Sequence, residues 1–341
     1  MEANWLSWLV LIVVVIGVLT FDFFGHVRKE HFPSIKESAI WTVIYISLAI
    51  IAGVVISGVF GWNYGVEYFA GWLTEWSLSL DNLFIFVIII AAFDVPRHLQ
   101  QKVIATGIAL ALVFRLVFIL LGAALINNFS WIFYIFGAFL LFTAVQQIRE
   151  GDSDTEDDTY QENGFVRLVR RFFRVTPDYV GHKYLTRVDG KLHLTPFLLV
   201  IVAIGSADVM FAVDSIPAIF GLTREAFIVF AANAFALMGL RQLYFLIKNL
   251  MERLIFLHYG LAAILAFIGG KLIAHALAEN ELPFINDGEP ISGIPEPSIP
   301  LSLGFIVVTL LLTAVISLIV SRHRRNSGKD SDGAAPENPE A

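Results

Sequence analysis

Long apolar runs separated by short polar segments make up most of this 341-residue chain. Each run holds about twenty mainly apolar residues, the length that lets an α-helix cross the hydrocarbon core of a bilayer. The pattern predicts nine spans, at residues 5–24, 38–60, 67–92, 102–126, 130–148, 195–220, 226–247, 256–277 and 299–320. The predicted fold class is therefore all-α, a polytopic membrane helix bundle that forms one transmembrane domain over residues 1–320.

The composition agrees with this pattern and narrows the chemistry. Hydrophobic residues make up 57% of the chain, charged residues only 16%, and the mean hydropathy is +0.73, so the chain has more apolar surface than a soluble protein of this length can bury. The first span is not a signal peptide by its sequence, because the leading MEAN carries Glu2 and no Lys or Arg. The chain has no cysteine, which excludes disulfides, thiolate nucleophiles and thiolate metal ligands, so a bound metal would need oxygen or imidazole ligands.

The Lys and Arg residues in the loops are distributed unevenly between the two sides of the membrane that nine spans would connect. Of the 23 in the chain, nineteen fall after spans 1, 3, 5, 7 and 9, whereas the opposite side holds Arg224 alone. Because cytoplasmic loops are enriched in these residues, the distribution predicts that the N-terminus lies outside and the C-terminus in the cytoplasm.

Two loops and the C-terminal tail have the composition of solvated linkers. Residues 150–163 contain seven carboxylates, residues 278–298 are acidic and proline-rich, and residues 321–341 form a polar tail that we expect to be disordered. The alternating acids of the first loop also suggest a calcium loop, but they lack its central glycine and closing glutamate. The basic and aromatic run at residues 165–175 predicts an amphipathic helix on the inner leaflet.

The spans contain an internal repeat. Span 3 has Glu75, then five residues, then Asp81, and span 6 has Asp208, then five residues, then Asp214. Each is followed by a span with one arginine, so spans 3 to 5 resemble spans 6 to 8. Since three is odd, the two units would cross the membrane in opposite directions, as in transporters with inverted repeats and a substrate site near the midplane.

The four carboxylates within these two spans need compensation. Each costs about 2.5–3.5 kcal/mol at the centre of a membrane helix on insertion scales. One explanation is structural, with the three basic residues inside spans acting as counter-charges that hold the bundle together: Arg115, Arg241 and Lys271. The other is an ion path, in which the helical rise places Asp81 and Asp208 in a central layer and Glu75 and Asp214 in an outer layer.

Neighbouring residues could complete an oxygen-rich site. Asn82, Ser79, Ser206, Ser215 and Asn233 offer neutral oxygens, and Gly205 and Pro217 suggest that span 6 unwinds to expose carbonyls. Such a set suits Mn²⁺, Ca²⁺ or Mg²⁺ better than copper(I) or zinc.

Three further residues have two interpretations each. Met210 is a soft ligand or a packing residue, and His275 is a ligand or an interfacial residue. Asp22 pairs with Arg28 or Lys29, or lies at the cytoplasmic mouth of the path.

Four segments resemble the TerC/Alx family of bacterial integral membrane proteins, and the resemblance extends from span 1 to span 9: SLSLDNLFIF, WIFYIFGAFLLFTA, DVMFAVDSIPAIF and LMGLRQLYFLI. The family is associated with manganese efflux and tellurite-resistance clusters and looks related to LysE-type exporters. The resemblance implies a location in the bacterial inner membrane and Mn²⁺ export, with the metal path at Glu75, Asp81, Asn82, Asp208 and Asp214. It also matches Arg241 and Lys271. One departure is Gly205, where the family usually has glutamate, so one anionic ligand is absent here.

These observations predict a secondary transporter that exports a divalent cation, with Mn²⁺ favoured over Ca²⁺, in exchange for protons. The chain has no P-loop for ATP binding and no catalytic grouping, so we expect neither an enzyme nor a resident cofactor. The partners would be the lipid bilayer and the transported ion, not nucleic acid. A non-transporting scaffold that recruits stress or secretion proteins through its cytoplasmic loop is the alternative from another functional class.

Overall fold

The computed structural model describes residues 4–27, 33–151, 164–188, 190–247, 256–280, 282–283, 285–291 and 293–332. Within these ranges, nine helices are long and apolar enough to cross a membrane, which confirms the predicted polytopic helix bundle. In chain order the elements are α1 (Trp5–Asp22), a π-helical turn (Phe23–Val27), α2 (Ile35–Phe60), α3 (Trp62–Ala92), α4 (Arg97–Asn128), α5 (Ile132–Gly151), α6 (Gly164–Phe172), β1 (Leu185–Val188), β2 (Lys191–Leu194), α7 (Pro196–Phe220), α8 (Ala226–Met238), α9 (Leu240–Ile247), α10 (Leu257–Ala278), a 3₁₀ turn (Asn286–Gly288) and α11 (Ile299–Asp332).

Side-chain caps and a proline define the starts of three helices. Asn4 and Ser34 accept hydrogen bonds from the backbone N–H groups of Ser7 and Glu37 and so cap α1 and α2. Thr195 caps α7, and proline follows it at the first helical position, where its missing N–H costs nothing.

Burial separates central helices from peripheral ones. Of the apolar window that spans α8 and the start of α9, 94% of the residues are buried inside the bundle, against 17% for the windows in α1 and α11. Because lipid can cover α1 and α11, their apolar surfaces need no protein partner, whereas α8 is enclosed by other helices. The polar side chains described below lie mainly on α3, α4 and α7, which pack around this centre.

The main helix pairs are α3 with α8, α4 with α7, and α5 with α10. The α5–α10 contact is especially close: a Cβ atom on Gly137 would lie 2.8 Å from the carbonyl oxygen of Gly269, and one on Gly269 would lie 2.9 Å from that of Gly137. Small residues permit such close approach of membrane helices. An inverted repeat would give this pattern of pairs, but the repeat itself stays a prediction.

The structure differs from the sequence-based expectations in several places. The seventh span consists of α8 and α9, separated at Gly239, and the polar segment after α5 contains the β1–β2 hairpin as well as the predicted helix α6. The predicted unwinding of α7 is wrong, because the helix is continuous from Pro196 to Phe220. Pro217 lies in its last turn, and Gly205 serves packing instead: a Cβ there would lie 2.7 Å from Leu110 of α4.

The segment at residues 278–298 folds onto the bundle in the parts that the structure describes, so it is not simply a solvated linker. Asn280 is buried; its amide oxygen accepts a 3.1 Å hydrogen bond from the Tyr134 hydroxyl, and its amide nitrogen donates to the carbonyl oxygens of Ile285 and Glu289. The predicted acidic linker at residues 150–163 falls almost wholly outside the described residues.

Candidate ion pathway

A buried cluster of one arginine and two carboxylates lies at the centre of the bundle. Arg115 of α4 is fully buried, and its Nε and Nη2 atoms donate hydrogen bonds of 3.0 and 2.9 Å to the two carboxylate oxygens of Asp208 on α7. Arg115 Nη1 pairs with Glu75 Oε1 of α3. We call Glu75, Arg115 and Asp208 the buried triad; with both acids ionised its formal charge is −1.

Hydroxyl and amide groups extend this centre along α3. Ser79 donates a 3.3 Å hydrogen bond to Glu75 Oε1, and Ser215 of α7 lies 3.4 Å from Arg115 Nη1. Oε2 of Glu75 and Nδ2 of Asn82 are among the buried polar atoms that have no hydrogen-bond partner within the described residues. An unpartnered buried carboxylate oxygen has lone pairs that a cation could use.

The predicted layers of carboxylates need correction, because the triad joins Glu75 with Asp208. Helix α3 begins at Trp62, five residues before the predicted span, so Glu75 lies thirteen residues from its N-terminal end. Asp208 lies twelve residues from the end of α7 on the same side, and at about 1.5 Å per residue both are about 18–20 Å deep. Asp81 belongs to α3, but its side chain lies outside the described residues.

Asp214 faces a different space from the triad. With Asn82 it lines a cavity of about 690 Å³ between α3, α5, α7 and α10, which also includes Gln146 and His258. Met210 lines the same cavity and is 65% exposed at the bundle surface. Asp214 and Asn82 are thus grouped together, but apart from Asp208.

A second polar cavity opens at the N-terminal end of α3 and has a volume of about 650 Å³; we call it the vestibule. Its carboxylates are Glu67, Glu225 and Glu296, and its cationic side chains are Arg224 and Lys271. Glu67 accepts a 2.5 Å hydrogen bond from the Thr223 hydroxyl. Sequence reasoning missed Glu67, although it lies two helical turns before Glu75.

Two residues with open interpretations contact the vestibule. Lys271 has its ammonium 3.4 Å from the Ser302 hydroxyl, so it does not belong to the buried triad. His275 contacts Arg224 and lies 3.1 Å from Glu296, which makes it part of an exposed charged cluster at the bundle end. This placement favours the interfacial interpretation of His275.

The third intramembrane cation, Arg241, forms a separate ion pair. Its Nη2 lies 2.5 Å from Asp22 Oδ1, and the Tyr45 hydroxyl donates a 2.7 Å hydrogen bond to the same oxygen. Arg28 and Lys29, the partners proposed for Asp22 from the sequence, lie outside the described residues. The Asp22–Arg241 pair fastens α1 to α9 across 219 residues of sequence, and no local pattern in the sequence indicates it.

At the opposite end of α3, the hairpin segment is tied to the bundle. The Tyr179 hydroxyl donates a 2.7 Å hydrogen bond to the carbonyl of Phe93. Burial, together with the nearby Asp94 carboxylate, raises the pKa of Tyr179 to about 12. The hydroxyl therefore stays protonated, and so able to donate, throughout the physiological pH range.

Within the described part of the chain, no three His, Asp or Glu side chains converge as a group that could hold a metal ion. The buried triad instead holds its two carboxylates around a guanidinium. The triad therefore resembles a cation-binding site in which the Arg115 guanidinium takes the place of the cation between two carboxylates.

The chain is similar to known membrane proteins along most of its length. The model of the integral membrane protein TerC family matches residues 60–325. An uncharacterized membrane protein of Mycobacterium tuberculosis is 46% identical over 325 residues, covering 95% of this chain and 82% of the relative. A protein of Escherichia coli named putative membrane-bound redox modulator Alx is 34% identical over 337 residues, covering 95% and 98% of the two chains. No solved structure matches.

Proposed function

Because this chain belongs to the TerC family of integral membrane proteins, we propose that it is a secondary carrier that exports a divalent cation, with Mn²⁺ the favoured substrate, in exchange for protons. The observation that carries the proposal is the buried triad: two carboxylates from different helices face one another across a guanidinium. One carboxylate oxygen of Glu75 also has no hydrogen-bond partner among the residues that the structure describes. Ionisable groups placed so deep in a membrane bundle mark ion paths more often than packing devices.

The triad suggests how one cation can replace another. A divalent ion needs anionic oxygens to replace its hydration shell, and Glu75 and Asp208 already face a common position that Arg115 now occupies. A metal bound there would compete with the guanidinium, which has Ser215 within 3.4 Å as a neutral contact. Arg115 would then act as the resident counter-charge of both carboxylates between transport events.

Charge balance brings Asp81 into the proposal. The triad has a formal charge of −1, which does not neutralise a divalent ion. Asp81, six residues after Glu75 on α3, would supply the second negative charge needed for a neutral complex. The vestibule and the cavity lined by Asn82 and Asp214 would give access from the two sides, with the N-terminus outside and the C-terminus in the cytoplasm.

The name of the Escherichia coli relative refers to redox modulation. The composition of the present chain restricts which redox chemistry its own residues can perform. It contains no cysteine, so its own residues cannot carry out thiol–disulfide exchange. Our proposal involves no catalytic step.

Metal flux into proteoliposomes tests the proposal. We expect the purified protein to transport Mn²⁺ in preference to Ca²⁺, Mg²⁺ and Zn²⁺ and faster with a pH gradient than without one. Asp81→Asn should abolish the flux while leaving the reconstituted amount unchanged, with Asn63→Gln, at the exposed rim of the vestibule, as the matched polar control. Equal flux through empty liposomes and protein-containing liposomes would rule out the carrier and favour a scaffold.

A further inference from the structure

One face of α3 connects the vestibule, the buried triad and the second cavity. Glu67, Gly71, Glu75, Ser79 and Asn82 follow one another at intervals of four, four, four and three residues, the spacing that keeps side chains on one face of an α-helix. Glu67 lines the vestibule, Glu75 belongs to the triad, and Asn82 lines the second cavity. The only position of this row without a polar side chain is Gly71.

The structure is tightly closed at Gly71. A Cβ atom there would lie 3.2 Å from Cγ2 of Ile219 on α7 and 3.3 Å from Cβ of Ala232 on α8. Ile219 and Ala232 are both fully buried. Two apolar side chains therefore cover the α3 backbone between the carboxylate of Glu67 and that of Glu75, and neither of them offers a polar group to a hydrated cation.

We propose that Gly71, Ile219 and Ala232 form a closed gate between the vestibule and the buried triad, and that Glu67 is the vestibule ligand that holds a divalent cation next to this gate. The inference rests on the proposed carrier function and identifies one of its two barriers. A narrow apolar constriction stops ions because it offers nothing to replace their water. Glycine at position 71 keeps this barrier thin, so a small separation of α3 from both α7 and α8 would open it.

Glu67 is suited to hold the cation because of its surroundings. It is partly buried and accepts only one described hydrogen bond, from Thr223 through Oε2. Among the described residues, three carboxylates and two cationic side chains line the vestibule, so their formal charges sum to a negative value when His275 is counted as neutral. Lys271 lines the same cavity as Glu67, and its charge would balance that of Glu67 when no metal is bound.

Cysteine labelling tests the gate without measuring transport, and the absence of native cysteine gives a clean background. Asn63→Cys in the vestibule and Ser79→Cys beyond the gate would each be treated with a membrane-impermeant thiol reagent, in sealed vesicles whose vestibule side faces outward. We expect Ser79→Cys to react about 10- to 1,000-fold more slowly than Asn63→Cys, as for a site exposed only in a minor conformation. Equal rates would refute the gate.

Removing one gate side chain should open this path. When Ile219→Ala is combined with Ser79→Cys, the cysteine at position 79 should be labelled at least about tenfold faster, at a rate closer to that of a permanently accessible cysteine. Ile216→Ala is the matched control, because Ile216 is equally buried on α7 but faces Gly122 of α4. If both alanine variants label alike, Ile219 is ordinary packing and the proposal fails.

A reversible crosslink gives a second, independent test. The double variant Gly71→Cys/Ala232→Cys places two Cβ atoms close to the separation of a disulfide. Oxidation should stop Mn²⁺ flux and dithiothreitol should restore it, whereas either single variant should be insensitive to oxidant. Full flux through the crosslinked protein would mean that α3 and α8 need not separate at Gly71.

Mn²⁺ binding tests the role of Glu67 separately. Together, the flux and labelling results distinguish failure of the gate from failure of the carrier function. Glu67→Gln should weaken Mn²⁺ binding to the oxidised, crosslinked protein at least about tenfold, and unchanged binding would remove Glu67 from the proposal. If wild-type protein shows no flux but the labelling differences hold, the gate stands and the carrier function fails. If flux is present but labelling is uniform, the carrier stands and the gate lies elsewhere.

Discussion

Replacing Asp208 by asparagine removes one charge from the buried triad and hardly changes the side-chain volume. Asp208 and Arg115 are 1% and 0% exposed and share hydrogen bonds of 2.9 and 3.0 Å. After the substitution only Glu75 neutralises Arg115, so the formal charge of the triad changes from −1 to 0. We expect Mn²⁺ export to be lost while the protein still inserts and folds.

The magnitude follows from the charge that is removed. Two unit charges about 4 Å apart interact by about 4 kcal/mol at an effective dielectric constant of about 20, and a divalent ion doubles this figure. Even a loss of about 4 kcal/mol weakens binding about a thousandfold. The loss of folding stability should be smaller, about 1.5–3 kcal/mol, because a charged group loses hydrogen bonds but keeps a counter-charge.

Manganese tolerance of an efflux-deficient host measures the effect, with membrane levels checked by immunoblot and thermal unfolding followed in detergent. Asp214→Asn is the matched control: it makes the same chemical change on the same helix, but at the second cavity, and should reduce export without abolishing it. If Asp208→Asn protects the host as well as wild type at equal membrane levels, the buried acid only holds the bundle together. The ion path would then lie elsewhere.

Three further substitutions separate packing from transport. Arg241→Gln leaves Asp22 buried without its cation and should lower the free energy of unfolding by about 3–5 kcal/mol, as measured by thermal unfolding. Mn²⁺ affinity, measured by titration, should change little. Unchanged unfolding with weakened Mn²⁺ binding would contradict this prediction. Gly137→Leu should prevent the close backbone contact with Gly269 and lower the amount of folded protein in the membrane, as measured by size-exclusion chromatography. A neutral Gly/Ser linker in place of residues 150–163 should preserve manganese tolerance, because a solvated acidic loop at most concentrates cations nearby, and complete loss with normal folding would favour the scaffold.

The sequence alone determined the number and position of the membrane spans. Each span is a local property, since about twenty apolar residues are enough to predict a membrane helix whatever the rest of the chain does. In the part of the chain that the structure describes, the nine membrane-length segments follow the predicted runs within a few residues at most ends. The absence of cysteine and the presence of acids inside spans 3 and 6 are likewise visible in the sequence, so the chemistry of oxygen ligands could be predicted before any fold was known.

Which charged groups meet was decided only by the tertiary structure. The sequence paired Asp208 with Asp81, whereas in the structure Asp208 shares Arg115 with Glu75. This error came from the start of α3: five extra residues at its N-terminal end move Glu75 to the depth of Asp208. The depth of a residue in the membrane depends on where its helix begins, and its contacts depend on which way that face of the helix points. The apolar content of the sequence alone determines neither.

The pairings across long stretches of sequence have the same origin. Arg115 and Asp208 are 93 residues apart, and Asp22 and Arg241 are 219 apart, so no local periodicity links them. The closed contact at Gly71 also needed coordinates, because a glycine in an apolar span has many possible neighbours and only the packing of α3 against α7 and α8 selects Ile219 and Ala232. The sequence thus determined which charged groups are present in the membrane. The packing of the helices decided which of these groups face each other, because a desolvated charge must pair with a group on a helix that the fold places next to it.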